Sequence, residues 1–297
     1  MAKSLDNPST LTLQDNPPRL DGLKHYYPLA SAFAKAAYPA NMVENALESR
    51  FDPFPIVSLG CLLQAENDIA FLKRSDVKEA REEIIALSNS YPTSTNPAIS
   101  ALGNTDLTLT PIAKDALIFF VNSQNPIADL SLDAIKGIYT DRITNWDELG
   151  GKRQSIKAYI FSDESSRFLR NFFDGIKLKS RVYEFSFSNS MFPSPDFKNY
   201  NNAIGFTSFF HLDKIQNNPD PHIRVISIDG VAPTAENIAN GTYPITDDIC
   251  AVTIVTREYK DENEKARIEN SGLLIEWILS EQGQELIEKT GYVRLSS

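Results

Sequence analysis

Residues 115–151 read DALIFFVNSQNPIADLSLDAIKGIYTDRITNWDELGG, and this stretch decides the architecture. From Ala116 to Val121 every residue is apolar. A strand with one face in water would alternate polar and apolar residues, so this run predicts a strand covered on both faces. Ser131 then stands where a hydroxyl can accept the first free N–H groups of a helix carrying Leu132, Ile135, Ile138 and Tyr139. A turn containing Trp146 follows and is closed by Gly150 and Gly151. Strand, capped helix and closing turn in this order are the repeat unit of an α/β chain.

The same alternation continues in both directions. Upstream, TLTL at 10–13 alternates like a short strand, and YPLASAFAKAAYP has helical spacing through Leu29, Phe33 and Ala37 until Pro39 stops it. NDIAFL at 67–72 predicts a buried strand. SDVKEAREEIIALSNS predicts a helix with Ser75 or Asp76 at its cap and Val77, Ala80, Ile84 and Leu87 along one stripe. Downstream, SIKAYIF predicts a strand leading to FSDESSRFLRNFF at 161–173, a loop running into a helix over 166–173 with Phe168, Leu169, Phe172 and Phe173 on one side. NAIGFTSFF, IRVISIDG and DDICAVTIV (247–255) predict further strands. SGLLIEWILSEQGQELIEKTGYVRL predicts two helices interrupted near Gly283, with Leu274, Trp277, Ile278, Leu286 and Ile287 in the core.

The chain has 297 residues, 42% hydrophobic and 23% charged, which suits one large or two ordinary soluble domains. A net charge of −10 argues against a general nucleic-acid binder, whose affinity rests on Lys and Arg against phosphates. It leaves room for a small local basic pocket. Cys61 and Cys250 are the only cysteines, too few for a disulfide scaffold or a cysteine-rich zinc site, although one bridge stays open. Only three histidines occur, widely separated, so the expectation is no metal and no cofactor. Asp163 and Glu164 are adjacent acids ahead of a helix, where they stabilise its dipole more readily than they form a catalytic pair. No G-x-S-x-G elbow accompanies Ser58 or His25. The expectation is therefore a protein that is not an enzyme.

Taken in order, the pieces resemble the phosphate-binding proteins of the phosphate ABC transporter. The resemblance is carried by residues 115–151, by NNAIGFTSFF, by GVAPTAENIANGTYPITDDICAVTIVT and by LLIEWILSEQGQELIEKTGYVRL, with PRLDG…YPLASAFAKAAYP similar to the family's opening and NDIAFL to its second strand. It implies an α/β, two-lobed type II periplasmic-binding-protein fold with strands crossing between the lobes. Lobe one would comprise 18–117 and 245–297, and lobe two 118–244. It also implies that solute binding closes the lobes, that a transporter's membrane component recognises the closed form, and that the protein is a monomer. The location would be periplasmic or anchored at the cell surface, with a signal removed ahead of Met1.

The three loops that carry phosphate in the family differ here. Asp21 and Gly22 match the first, but Leu23 and Lys24 replace a Ser–Thr pair and His25 follows. After DIAF, where the family has small neutral residues, stand Leu72, Lys73 and Arg74, then Ser75. In the third, Glu164 and Ser166 match, Ser162 replaces an arginine, Ser165 and Arg167 replace glycines, and Phe168 replaces a hydroxyl residue. Losing the glycines restricts close backbone approach to an oxyanion, and a serine cannot supply the bidentate bonds of an arginine. These substitutions predict that phosphate is not held in the family's usual geometry. The candidate ligand contacts are Gly22, Lys24, His25, Arg74, Ser75, Ser162, Glu164, Ser165, Ser166 and Arg167. Their cations would suit a small anion, either phosphate or a larger anionic solute. The alternative for the cations is a solvated face, and for Ser166 a plain helix cap. For the whole chain the alternative is a ligand-free interaction or sensory module.

Overall fold

The computed structural model describes residues 3–47, 51–90, 105–161, 164–175, 177–178, 183–185, 200–211, 221–255 and 259–296. In chain order, the first elements are β1 (Leu20–Gly22), α1 (Tyr27–Ala37), α2 (Val43–Leu47), α3 (Pro55–Leu63), β2 (Ile69–Lys73) and α4 (Arg74–Ser90). Next come β3 (Leu107–Asn122), β4 (Asp129–Leu130), α5 (Leu132–Tyr139), β5 (Lys157–Phe161), α6 (Glu164–Phe172) and β6 (Tyr183–Phe185). The remainder are β7 (Ala203–Ser208), β8 (Ile223–Val225), β9 (Ser227–Ile228), α7 (Ala235–Ala239), β10 (Thr246–Ile254), α8 (Glu262–Leu279) and α9 (Glu281–Thr290). The chain forms two compact units, one of Met1–Lys114 with Asp247–Leu295 and one of Asp115–Thr246.

In the first unit β1 lies parallel to β2, with Leu20 opposite Ile69 and Gly22 opposite Phe71. β10 runs antiparallel along the other edge of β2, with Ile249 opposite Lys73 and Val252 opposite Ala70. Every residue of β2 is buried. α1 ends where the sequence predicts: Tyr38, held extended ahead of Pro39, terminates it. Its Phe33 meets Phe71 at 5.9 Å and Trp277 at 6.3 Å between ring centroids, joining the sheet to α8. Asp68, fully buried, is held by Arg19 Nε and NH2, each at 2.9 Å, and by Arg267 at 3.3 Å. Cys61 and Cys250 are both buried as thiols and are not joined in a disulfide.

In the second unit the apolar run of β3 sits between two partners. β7 pairs antiparallel with it from Leu117–Ser208 to Val121–Ile204, and β8 pairs with its end at Phe120–Asn122. Residues 116–121 are at most 1% exposed, as the unbroken apolar sequence requires. β5 continues the sheet parallel to β7, and β6 parallel to β5. Ser131 Oγ accepts the Ala134 N–H at 3.1 Å and caps α5, whose Tyr139 packs against Phe206 at 5.3 Å. The following turn, Trp146–Leu149, is a 3-10 helix with an Asn145–Glu148 capping box, closed by Gly150 at φ +80°.

Several details differ from the expectations. Residues 10–13 form no strand: the Thr10 N–H donates to the Gln282 side chain at 2.8 Å and the Leu13 N–H to the Ala37 carbonyl at 2.8 Å, so helices rather than a neighbouring strand take up these groups. α6 starts at Glu164, not 166. On α4, Val77, Ala80 and Ile84 are buried but Leu87 is 38% exposed. The break between α8 and α9 falls at Ser280, and Gly283 lies inside α9. That glycine lets the first turn of α9 press on α8, since a Cβ there would come within 2.2 Å of the Ile278 carbonyl oxygen.

Candidate functional site

Parallel pairing of β1 and β2 delivers their carboxyl ends to one edge of the first unit, so the loop after Gly22 and the turn into α4 are neighbours. Open α/β sheets gather ligands at such ends. At Gly22 the backbone has φ +154°, and an added Cβ would lie 2.6 Å from the Phe71 carbonyl oxygen. Only glycine lets β1 approach β2 this closely while turning into the loop. Asp21 supports the turn from below. It is fully buried, its Oδ1 accepts the Gly22 N–H at 2.7 Å, and its Oδ2 accepts Asn67 Nδ2 at 2.8 Å. Burial pushes its carboxyl up from 3.8 to about 6, against the opposing hydrogen bonds from Gly22 and Asn67, with the charge of Asp52 adding to the rise.

Backbone donors of this loop are largely spent inside the chain. Besides Gly22, the Leu23 N–H points to the Phe71 carbonyl at 3.4 Å, the Lys24 N–H to Asp52 at 3.2 Å and the Tyr26 N–H to Leu23 at 2.8 Å. Leu23, where the resemblance predicts a hydroxyl, is wholly buried. The Lys24 side chain is exposed. His25 is half-buried, its ring edge-on to Tyr26 at 3.9 Å and its carbonyl accepting the Tyr292 hydroxyl at 3.0 Å. A short 3-10 turn, Lys24–Tyr26, carries these groups into α1.

At the neighbouring turn, Arg74 and Ser75 begin α4 rather than preceding it. The Ser75 N–H donates to Asp247 Oδ2 at 3.2 Å. Arg74 reaches Asp248 Oδ2 through Nε at 3.4 Å and NH2 at 3.3 Å, while Lys114 Nζ donates to Asp248 Oδ1 at 3.0 Å. Burial raises the Asp247 carboxyl above the usual range, opposed by Ser75 and the Lys73 charge and reinforced by Asp76. Both carboxylates stand outside the sequence prediction. The pairing of Ile249 with Lys73 is what brings them there, and a sequence without its strand register does not display it.

In the second unit, β5 ends at Phe161 and α6 opens at Glu164, so Glu164, Ser165 and Ser166 form its first turn, followed by the partly buried Arg167. Ser162 lies outside the described residues. The structure thus brings Gly22, Lys24, His25, Arg74 and Ser75 together in the first unit and Glu164 to Arg167 together in the second. Trp146 is 1% exposed, and its Nε1 donates to the Asn202 carbonyl at 2.9 Å, a core role. It also backs a shallow polar recess lined by Gln124, Asn125, Pro126, Lys152, Gln154 and Asn201. This recess adjoins the starts of β5 and β7, the opposite end of those strands from α6, and includes no predicted contact. Among the described residues no group of three His, Cys, Asp or Glu side chains is arranged to hold a metal, and no helix is long and apolar enough to cross a membrane.

Residues 84–281 match the family model of the PBP superfamily domain. The chain is 36% identical over 128 residues to the phosphate-binding protein PstS of Bacillus subtilis, covering 42% of this chain and 40% of that protein. It is 24% identical over 206 residues to PstS of Borreliella burgdorferi, covering 63% and 66%. Each match spans less than two thirds of the relative's own length. Among solved structures, a phosphate ABC transporter substrate-binding protein with bound phosphate from Clostridium perfringens superposes with a TM-score of 0.59 at 22% identity, covering 96% of this chain and 100% of that one. An ABC-type phosphate transport receptor from Vibrio cholerae gives 0.63 at 20% identity, covering 92% and 98%. The α/β architecture is accordingly of the type II periplasmic-binding-protein kind, and the chain belongs to the PBP superfamily.

Proposed function

We propose that this chain is an extracytoplasmic solute-binding protein, periplasmic or anchored at the cell surface, which delivers a small anion to the membrane component of an ABC transporter. The observation that carries the reading is its 36% identity over 128 residues to a protein named for phosphate binding. Binding, not catalysis, is the role those relatives' names describe. The ligand is phosphate or a larger anionic solute, met at the edge of the first unit by Lys24 and His25 and, at the neighbouring turn, by Arg74 and Ser75. Because Gly22, Leu23, Lys24 and Ser75 spend their N–H groups within the chain, side-chain cations do the work that a backbone cradle would otherwise do. Affinity resting on exposed cations falls steeply with ionic strength.

Calorimetric titration of refolded, ligand-stripped protein with inorganic phosphate at low salt tests this. Micromolar binding establishes phosphate as the ligand. No heat with phosphate, together with a raised melting temperature in one of a series of organic phosphates and carboxylates, establishes a larger anion. If no anion shifts the melting temperature, the transport reading fails. The same internally satisfied N–H groups favour a second reading in that case, an interaction or sensory module that keeps the fold and binds a protein partner.

A further inference from the structure

Asp247 and Asp248 follow Thr246 at the start of β10, whose antiparallel pairing with β2 runs Cys250–Leu72, Ile249–Lys73. Carried one and two residues further, that register sets Asp248 against Arg74 and Asp247 against Ser75, at the point where β2 turns into α4. The contacts follow the register. One Asp248 oxygen takes the Arg74 guanidinium and the other takes Lys114 Nζ at 3.0 Å, while Asp247 takes the Ser75 N–H at 3.2 Å. Arg74 and Ser75 are two of the groups to which an incoming anion would be presented at this edge, and Lys114 adds a second positive charge. All three already face carboxylate oxygens of the chain itself.

We propose that Asp248, backed by Asp247, is an internal competitor that sets how strongly this edge takes an external anion. The inference rests on the anion-binding reading above and adds its regulation. An anion engages Arg74 and Lys114 only by displacing Asp248 or by sharing them with it. Arg74 is half exposed and the Asp248 carboxylate a quarter exposed, so the ion pair opens to solvent without disturbing the core. The arrangement weakens binding at rest and reserves the edge for ligands with enough charge to win the exchange. Lys73, Arg74, Asp76 and Lys114 are the other charged groups around the pair.

The test titrates inorganic phosphate at low salt into the full wild-type chain, Asp248→Asn and Asp247→Asn, with melting temperature and circular dichroism as fold controls. Asp248→Asn is expected to bind about tenfold tighter, and to lose affinity more steeply with added salt because Arg74 and Lys114 then face the anion unopposed. Asp247→Asn retains an oxygen for the Ser75 N–H and is expected to gain by a smaller factor. If wild type binds and neither variant binds more tightly, the inference is overturned while the anion reading stands. If none of the three proteins responds to phosphate or to the wider anion series, the anion reading falls and takes the inference with it. Should Asp248→Asn fail to fold, the Asp247→Asn titration decides alone, since its cap survives.

Discussion

Asp21→Asn removes one negative charge from beneath the loop after β1 and leaves its hydrogen-bonding shape intact. In the native chain the Asp21 carboxyl titrates near 6, whereas an unfolded chain releases the same proton near 3.8. Between these values the native state holds a proton that the unfolded state has lost, so stability falls as pH rises through the window and the whole cost is present above pH 6. That difference is worth about 3 kcal/mol, of which about 2 kcal/mol develops between pH 4 and pH 7. Asn keeps an acceptor for the Gly22 N–H, and the Asn67 amide can turn to present its oxygen to the new NH2. Urea unfolding of both proteins at pH 4 and pH 7 isolates the effect from every other titrating group, because those groups are shared. The advantage of the variant over wild type is expected to be about 2 kcal/mol larger at pH 7 than at pH 4. A stability difference that does not change with pH would refute the reasoning, for it would mean that the buried carboxyl carries no cost of ionisation.

Three further outcomes are expected. Gly22→Ala should lower the stability of the first unit by about 2 kcal/mol in urea, since the new Cβ meets the Phe71 carbonyl at a backbone angle that L-residues rarely adopt; a neutral result would show that β1 can move away from β2. Asp68→Asn should cost about 3 kcal/mol by leaving Arg19 and Arg267 without their shared anion. Arg19 holds the Asp68 carboxyl below 3.8 despite its burial, so in wild type this stability is present above pH 3.8 and is lost as pH falls through the lower native value. Ellman's reagent should label neither cysteine until urea unfolds the chain, because both are buried and burial pushes the Cys250 thiol up to about 12; rapid labelling of the native protein would contradict this.

The parts of the fold legible in the sequence are those dictated by local pattern. The unbroken apolar run at 116–121 and the Ser131 cap each state their structure within a few residues, and both are found as expected. Residues 10–13 failed because alternation describes what a strand would bury and says nothing about whether a partner strand exists. Gly283 misled for a related reason: it reads as a helix breaker, yet it marks where the first turn of α9 passes close to α8. At the candidate site, Gly22, Arg74 and Ser75 are candidates by their places along the chain alone. The bonding of Arg74 to Asp248 and of Ser75 to Asp247 depends on strand register across up to 174 residues of sequence and could not be read locally.

That register changes what the loop substitutions mean. Considered singly, Leu23 for a hydroxyl residue and Arg74 for a small neutral one look like a lost donor and a gained cation. In the folded chain Leu23 is core and Arg74 is balanced by Asp248, so neither change leaves a buried charge or polar group without compensation. A site decaying without constraint would leave such groups orphaned, at a cost of about 1–3 kcal/mol each. Here the carboxylates of Asp247 and Asp248 supply to α4 and its neighbours the negative charge that a bound anion would bring. Affinity for solute becomes a contest between two anions, one of them part of the chain, and this contest is what the two aspartate variants measure.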